Sequence, residues 1–227
     1  MYSIMYKSEI ILLIMTCYKY KNKTEIQRQS WLKELPENMI FYHVLGDKDK
    51  CKGNKYLFDE NNHILYVATN DDYNSLPHKV IQSFEAVSKQ YDYKYIFKTD
   101  DDQMLVRSNF FVEFTKLLSQ KKDYHYGGNS ISVEDHISSY HNFHSCLPKD
   151  LLLKKTVYCN GRFYFLSKDA VEYIVSFTEQ IKKHYIEDHA IGLYLDDRFK
   201  GKHMLSFDTH KHFHDDDWDG TKKIFID

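Results

Sequence analysis

Three consecutive carboxylates, Asp100-Asp101-Asp102, end an apolar run that begins at Tyr95. Two unit charges 4 Å apart interact by about 1 kcal/mol in bulk water and by several times that in a drier setting. Such a cluster is therefore either spread into solvent, the common case for a run of acids, or offset by a counter-charge. Position favours the second reading. The carboxyl end of a hydrophobic strand is where ligands of open α/β sheets bind. Alternate carboxylates there, Asp100 and Asp102, can hold a hard divalent cation and leave its other positions to water or phosphate oxygens. Those residue types point to a cation bound together with a nucleotide diphosphate.

Two further groups bear on that chemistry. His210, His212 and His214 alternate beside a run of acids, so a strand would aim all three to one side. They read either as a solvated histidine tail or as the source of one imidazole that completes the cation's shell. An imidazole ligand favours manganese over calcium. His212 is the central candidate, with His210 and His214 as rivals. Glu187-Asp188 opens a short helical pattern, where the helix dipole stabilises the ionised carboxylate. Such a pair is usually a plain helix start unless the surrounding pattern gives it a partner.

The elements that must position these groups alternate along the chain. Residues 10–15 form a continuous apolar run, as expected for a strand covered on both faces. Residues 23–35 carry Ile26, Trp31, Leu32 and Leu35 at near-helical spacing, closed by Pro36. Strands are expected at 39–45 and 64–67, with a polar loop at 47–62 between them. A helix is expected over 71–91, with Ser75 and Pro77 in its first turn and Val80, Phe84, Val87 and Tyr91 on one face. A strand at 93–99 then runs into the aspartates. This order predicts an α/β domain with a mixed, mostly parallel central sheet. In the second half, helices are expected at 108–119, 167–183 and 187–195, and a strand or loop at 124–132. Ser167 would cap the second of those helices, with Ala170, Ile174, Phe177 and Ile181 on one stripe. Residues 134–155 read as a polar connection containing His136, His141 and His144.

Composition bounds the rest. With 227 residues, 42% of them hydrophobic, the chain can bury a substantial core. Its 31 basic and 33 acidic residues leave a net charge of -2, which gives no electrostatic reason to bind nucleic acid or an anionic membrane. Cys17, Cys51, Cys146 and Cys159 include no CxxC pair and read as reduced thiols of a cytoplasmic-type compartment. The apolar run at 10–15 is far short of the roughly 20 residues of a membrane span and lacks a cleavage signature. The expectation is a soluble single domain over 1–227, with no signal peptide or membrane anchor.

Six segments, taken in order, resemble the β-1,3-galactosyltransferase family and its N-acetylglucosaminyl- and Fringe-type relatives. Arg28-Gln29-Ser30-Trp31 is similar to the family's Arg-x-Thr-Trp segment, and Phe41 to Gly46 to its second strand. Asp71 to Lys79 resembles its Asp-x-Tyr-x-Asn-Leu-Thr-x-Lys helix start, with Ser75 and Pro77 departing. Tyr95 to Asp102 resembles its metal-binding DxD strand. Cys159 to Ser167 resembles its Gly-x-Gly-Tyr-x-x-Ser segment, with Phe163 in place of the second glycine, a change that bears on the shape of the donor or acceptor pocket. Glu187 to Gly192 is similar to its Glu-Asp-Val-x-x-Gly motif.

The resemblance implies a GT-A type, Rossmann-like nucleotide-sugar-binding fold, with residues 1–107 as the nucleotide-sugar half and 108–227 as the acceptor half. It implies inverting, metal-dependent transfer of a hexose or N-acetylhexosamine from a UDP-sugar to a hydroxyl of a glycan or glycoconjugate, forming a β-linkage. Mn2+ or Mg2+ would be held by Asp100, Asp102 and His212. Arg28, Lys79, Asp100, Asp101 and Gly161 would lie on the donor side. Asp188 would be the general base, with Glu187 as neighbour or rival, and Trp218 a candidate for stacking on a sugar ring. Two other classes share part of the pattern. One is a glycan-binding relative without turnover. The other is a nucleotidyl- or phosphoryl-transfer enzyme, against which stands the absence of a GxxxxGK[ST] loop.

Overall fold

The computed structural model describes residues 6–120 and 123–215. Its centre is an eight-stranded mixed sheet. The strands are β1 (Ile10–Met15), β2 (Met39–Gly46), β3 (Tyr56–Asp59), β4 (Ile64–Val67), β5 (Tyr95–Asp100), β6 (Tyr126–Val133), β7 (Thr156–Ser167) and β8 (Met204–Ser206). Their spatial order is β8-β6-β7-β5-β1-β2-β4-β3. β5, β1, β2 and β4 run parallel, β7 lies antiparallel between β5 and β6, and β3 is an antiparallel edge.

All six residues of β1 are buried, which is why its sequence is apolar without alternation. The side chains still alternate between two cores. Ile11 and Leu13 join Val80, Phe84 and Val87 of α2 (Leu76–Gln90) on one face. Ile10, Leu12 and Ile14 join Trp31, Phe97 and the phenylalanines of α3 (Phe110–Gln120) on the other.

Several elements depart from the expected pattern. The single helix expected over 23–35 is α1 (Lys21–Gln29 in chain order, before α2) followed by a 3-10 turn at Trp31–Glu34. The Ser30 hydroxyl bonds back to the Ile26 carbonyl (2.6 Å) and breaks the run, which turns Trp31 inward onto Phe111. The 47–62 loop contains the edge strand β3 and a short turn capped by Asp47 (Lys50 N to Oδ1, 2.8 Å). The helix expected at 71–91 begins only at Leu76, after a 3-10 turn capped by Asp72. The helix expected at 167–183 ends at Val175 as α4 (Lys168–Val175), with a separate turn at Thr178–Ile181. Ser167 caps α4 as expected, through Ala170 N (3.3 Å). α5 (Glu187–Tyr194) matches its expected position.

The C-terminal histidines do not share one strand. Thr209–Lys211 is a 3-10 turn and strand structure begins at Phe213, so His210 and His212 precede the strand that carries His214. Phe213–Asp215 pairs antiparallel with Gln103–Leu105, directly after the three aspartates. Asp216, Asp217 and Trp218 lie outside the described residues. No helix among the described residues is long and apolar enough to cross a membrane.

Candidate active site

The carboxyl ends of β1 and β5 open into a cleft of about 640 Å³, lined among others by Asp71, Lys79, Lys98, Asp100, Asp101, Asp102, Gly161, Glu187 and Asp188. The two acidic motifs singled out in the sequence, far apart in the chain, therefore face one space.

Two local features bring them together. The ladder between β7 and β6 slips between Cys159 and Tyr164, and this bulge projects Asn160, Gly161 and Arg162 into the cleft. α5 then packs directly on β7. An added Cβ at Gly192 would sit 2.2 Å from the Tyr158 Cβ, so only glycine permits that approach. The N-terminus of α5, with Glu187 and Asp188, is thereby fixed over the bulge. The Asp188 carboxylate accepts hydrogen bonds from Gly161 N (2.8 Å, Oδ2) and His189 N (2.8 Å, Oδ1).

Between the two motifs lies Lys98, a charge inside an apolar strand and 1% exposed. Its ammonium pairs with Asp100 Oδ1 (2.8 Å) and Glu187 Oε2 (3.4 Å) and donates to the Gly161 carbonyl (2.9 Å). Burial acts to lower its pKa, but Asp100 and Glu187 outweigh burial and hold the ammonium above the ordinary lysine range. Burial raises the pKa of Glu187, with Lys98 opposing; Tyr164 donates its hydroxyl to the same carboxylate. Burial likewise raises Asp188, opposed by Lys98 and by the two backbone amides. Asp100 is pushed up to about 7 by burial and then by Asp102, against Lys98. Its side chain is still 31% exposed, so water moderates that shift.

The other predicted residues take distinct places. Asp102 faces the cleft and accepts from Gln103 Nε2 (2.8 Å, Oδ1). Gln103 is itself held by Asp215 and Arg162. Asp101 is buried, accepts from the Thr16 hydroxyl (2.6 Å) and is pushed up to about 7 by burial, so it anchors the turn to β1. Lys79 lines the cleft with its ammonium already engaged by Asp71 (2.6 Å) and the Thr16 carbonyl (2.7 Å). Asp71 also accepts from Gly46 N and Tyr18 N, so this pair ties the ends of β1 and β2 together.

Arg28 and His212 lie elsewhere. Arg28 bonds His43 and the carbonyls of Asn62 and His63 at the amino end of β4. The His212 ring packs on Phe110 and Phe207. Its carbonyl pairs with Val106, four register positions from Asp102 along the ribbon, or about 13 Å at strand rise. Packing in this aromatic cluster holds the imidazole away from the acidic turn. His214 lies nearer in register, opposite Met104. Phe163 does not enter the cleft either: it is fully buried and stacks on Phe213 at 4.9 Å.

Lys98, Gln103 and Arg162 were not singled out from the sequence. Lys98 carried a usable signal, because a lone lysine among Tyr95, Ile96, Phe97 and Thr99 requires a buried counter-charge. The other two are recognised only through the ribbon that brings 103–105 to 213–215.

Comparison with known proteins bears on the family and the fold. Residues 22–200 match the family model described as galactosyltransferase. The sequence matches none of the curated proteins. Among solved structures, a glycosyltransferase involved in the glycosylation of the major capsid of PBCV-1 is similar over 89% of this chain and 82% of its own. The identity is 12% and the TM-score 0.51, a likeness of fold. The galactosyltransferase LgtC, in complex with donor and acceptor sugar analogues, aligns over 88% of this chain and 74% of its own, at 11% identity and a TM-score of 0.45. The α/β domain has the mixed, largely parallel sheet of a GT-A-like fold, and the family match spans most of its length: the chain belongs to the galactosyltransferase family.

Proposed function

We propose that this glycosyltransferase moves a hexose or N-acetylhexosamine from a UDP-sugar to a hydroxyl of a glycan or glycoconjugate, with inversion to a β-linkage and with the help of a divalent cation. The observation that carries the proposal is Lys98, which joins Asp100 at the acidic turn to Glu187 beside Asp188 across a single cleft. An inverting transfer needs both ends of that arrangement: a place for the diphosphate leaving group, and a carboxylate for the attacking alcohol.

Among the described residues no three His, Cys, Asp or Glu side chains form a set that could hold a metal ion. Asp100 and Asp102 alone line the cleft as an alternate pair. Two carboxylates suit a cation of the Mg2+ or Mn2+ type that takes the rest of its shell from phosphate oxygens and water. They do not suit an all-protein cage. Bound there, such a cation would neutralise charge developing on the departing diphosphate. Asp102, oriented by Gln103, and the free oxygen of Asp100 would hold it. His212 is not part of this proposal.

On the acceptor side, Asp188 takes the proton of the attacking hydroxyl. Its two backbone hydrogen bonds fix the carboxylate without protonating it. Its raised pKa makes it a better proton acceptor than an ordinary surface aspartate. Lys98 balances Glu187 beside it. The donor is assigned to the half up to residue 107 and the acceptor to the half beyond it, with the bulge at Asn160–Arg162 between them.

The test is UDP release from a panel of UDP-sugars with Mn2+, with and without simple glycan acceptors. Acceptor-stimulated release that stops in excess chelator and returns with added Mn2+ is expected. Undiminished transfer in chelator would remove the cation from the reaction.

A further inference from the structure

Arg28 belongs to one of the segments that resemble the family, yet it sits outside the cleft. Its contacts form a directed chain of hydrogen bonds that ends on the acidic turn. Arginine only donates, so its Nη2, 3.2 Å from His43 Nδ1, makes that nitrogen the acceptor. His43 is buried and its pKa is pushed down to about 3, by burial first and by the guanidinium second. The ring is therefore neutral, with its proton on Nε2, which donates to Gln27 Oε1 (3.0 Å). The amide of Gln27 is thereby oriented. Its Nε2 donates both to the Asp100 carbonyl (3.2 Å) and to the Gln103 carbonyl (3.0 Å). These carbonyls flank Asp101 and Asp102, and Gln27 is fully buried.

We infer that Gln27, set in orientation by His43 and Arg28, is a positioning residue that clamps the backbone of the Asp100–Gln103 turn so that the two cleft-facing carboxylates keep the spacing a cation–diphosphate pair requires. This rests on the proposed role of Asp100 and Asp102. The physical basis is that the polarity of the relay is forced from Arg28 through His43 to Gln27, so the amide cannot flip without leaving buried groups unpaired. Outer partners of this kind typically govern metal affinity by about 10–100-fold.

The test compares Gln27→Met, which keeps the volume and removes both donors, with Val87→Ala, a destabilising change in the core on the opposite face of the sheet. Two measurements are made on each: amide hydrogen exchange of peptides covering 99–105 without nucleotide or metal, and affinity for UDP in the presence of Mn2+. Gln27→Met should speed exchange in that segment and weaken UDP affinity by about 10–100-fold, with KM for the acceptor unchanged. Val87→Ala should do neither. Equal exchange in the segment for wild type and Gln27→Met, or the same acceleration in both variants, overturns the clamp. Should Gln27→Met fail to fold, Arg28→Met, at the solvent end of the relay, must give the same segment-specific acceleration, and its absence is equally decisive. Wild-type protein that binds no UDP with Mn2+ would overturn the proposed function, while the exchange measurement still decides the clamp.

Discussion

The substitution Asp188→Asn tests the assigned base most directly, and its expected result has two separable parts. Both carboxylate oxygens accept backbone N–H groups, from Gly161 and from His189, each at 2.8 Å. An asparagine keeps one acceptor and turns an amide donor toward the other N–H. One hydrogen bond to a charged group is lost and a donor is left facing a donor, a change of about 1–3 kcal/mol. Against this, the neutral side chain removes a partly buried charge whose pKa burial has raised. Such a group adds to stability at low pH and loses that contribution as pH rises through its folded pKa. The net loss of stability at neutral pH should therefore stay at or below that range. Catalysis should fall much further, because a positioned base contributes about 10²–10⁴-fold. UDP affinity should not change, since the substitution leaves the proposed cation-binding carboxylates, Asp100 and Asp102, in place. Steady-state transfer and urea unfolding, run on the same preparations, separate the two parts. In wild type, kcat should rise with pH through a pKa above the usual aspartate value and then level off; in the variant that step should vanish. A kcat within tenfold of wild type, or a retained pH step, would refute the assignment.

Three other substitutions probe the scaffold that holds the site. Gly192→Ala would gain about 1 kcal/mol of helix propensity in open space, but its Cβ would meet Tyr158 at 2.2 Å. Denaturant midpoints should show a net loss of at least about 1–3 kcal/mol, and any stabilisation would contradict the close packing of α5 on β7. Lys98→Met leaves Asp100 and Glu187 without their shared counter-ion and should cost about 3–5 kcal/mol. A loss below about 1 kcal/mol would show that the pair is solvated. Phe163→Ala should cost about 3–5 kcal/mol through a cavity in the aromatic core and leave UDP affinity unchanged; tighter donor binding would mean that the phenyl ring does obstruct the cleft.

How far the sequence revealed these features depended on the range of the interaction involved. β1, β2, β4, β5 and α5 were legible because each is a compact run whose apolar pattern is set by its own burial. The ends of helices were less so. The stop at Ser30 comes from a side chain bonding back to the turn, and the stop at Val175 falls inside an unbroken apolar stripe that Ile181 continues from a separate turn. β3 went unseen because a half-exposed four-residue edge strand carries almost no periodicity. Asp100, Asp102, Gly161 and Asp188 were expected from motif order, and all four line one cleft. Arg28, taken from a motif, and His212, taken as the central one of three alternating histidines, lie outside the cleft because their positions depend on register, one across β2 and β4 and the other along the 103–105/213–215 ribbon.

The slip in β7 makes this segment unusually sensitive to chain length. The ladder with β6 resumes with Tyr164 opposite Gly128, and the ladder with β5 runs from Phe163 opposite Thr99 to Ser167 opposite Tyr95, so the face of every side chain from there on is set by this register. Were the removal of one residue between 160 and 162 to carry the strand one place along its partners, the two faces of the strand would be exchanged. Phe163 and Phe165 would then trade places with Tyr164, sending benzyl groups toward Glu187 and a phenol into the oily layer beneath. A point change at Arg162 costs its contacts to Gln103 and Asp215, whereas a one-place shift of the strand would rewire the middle of the protein.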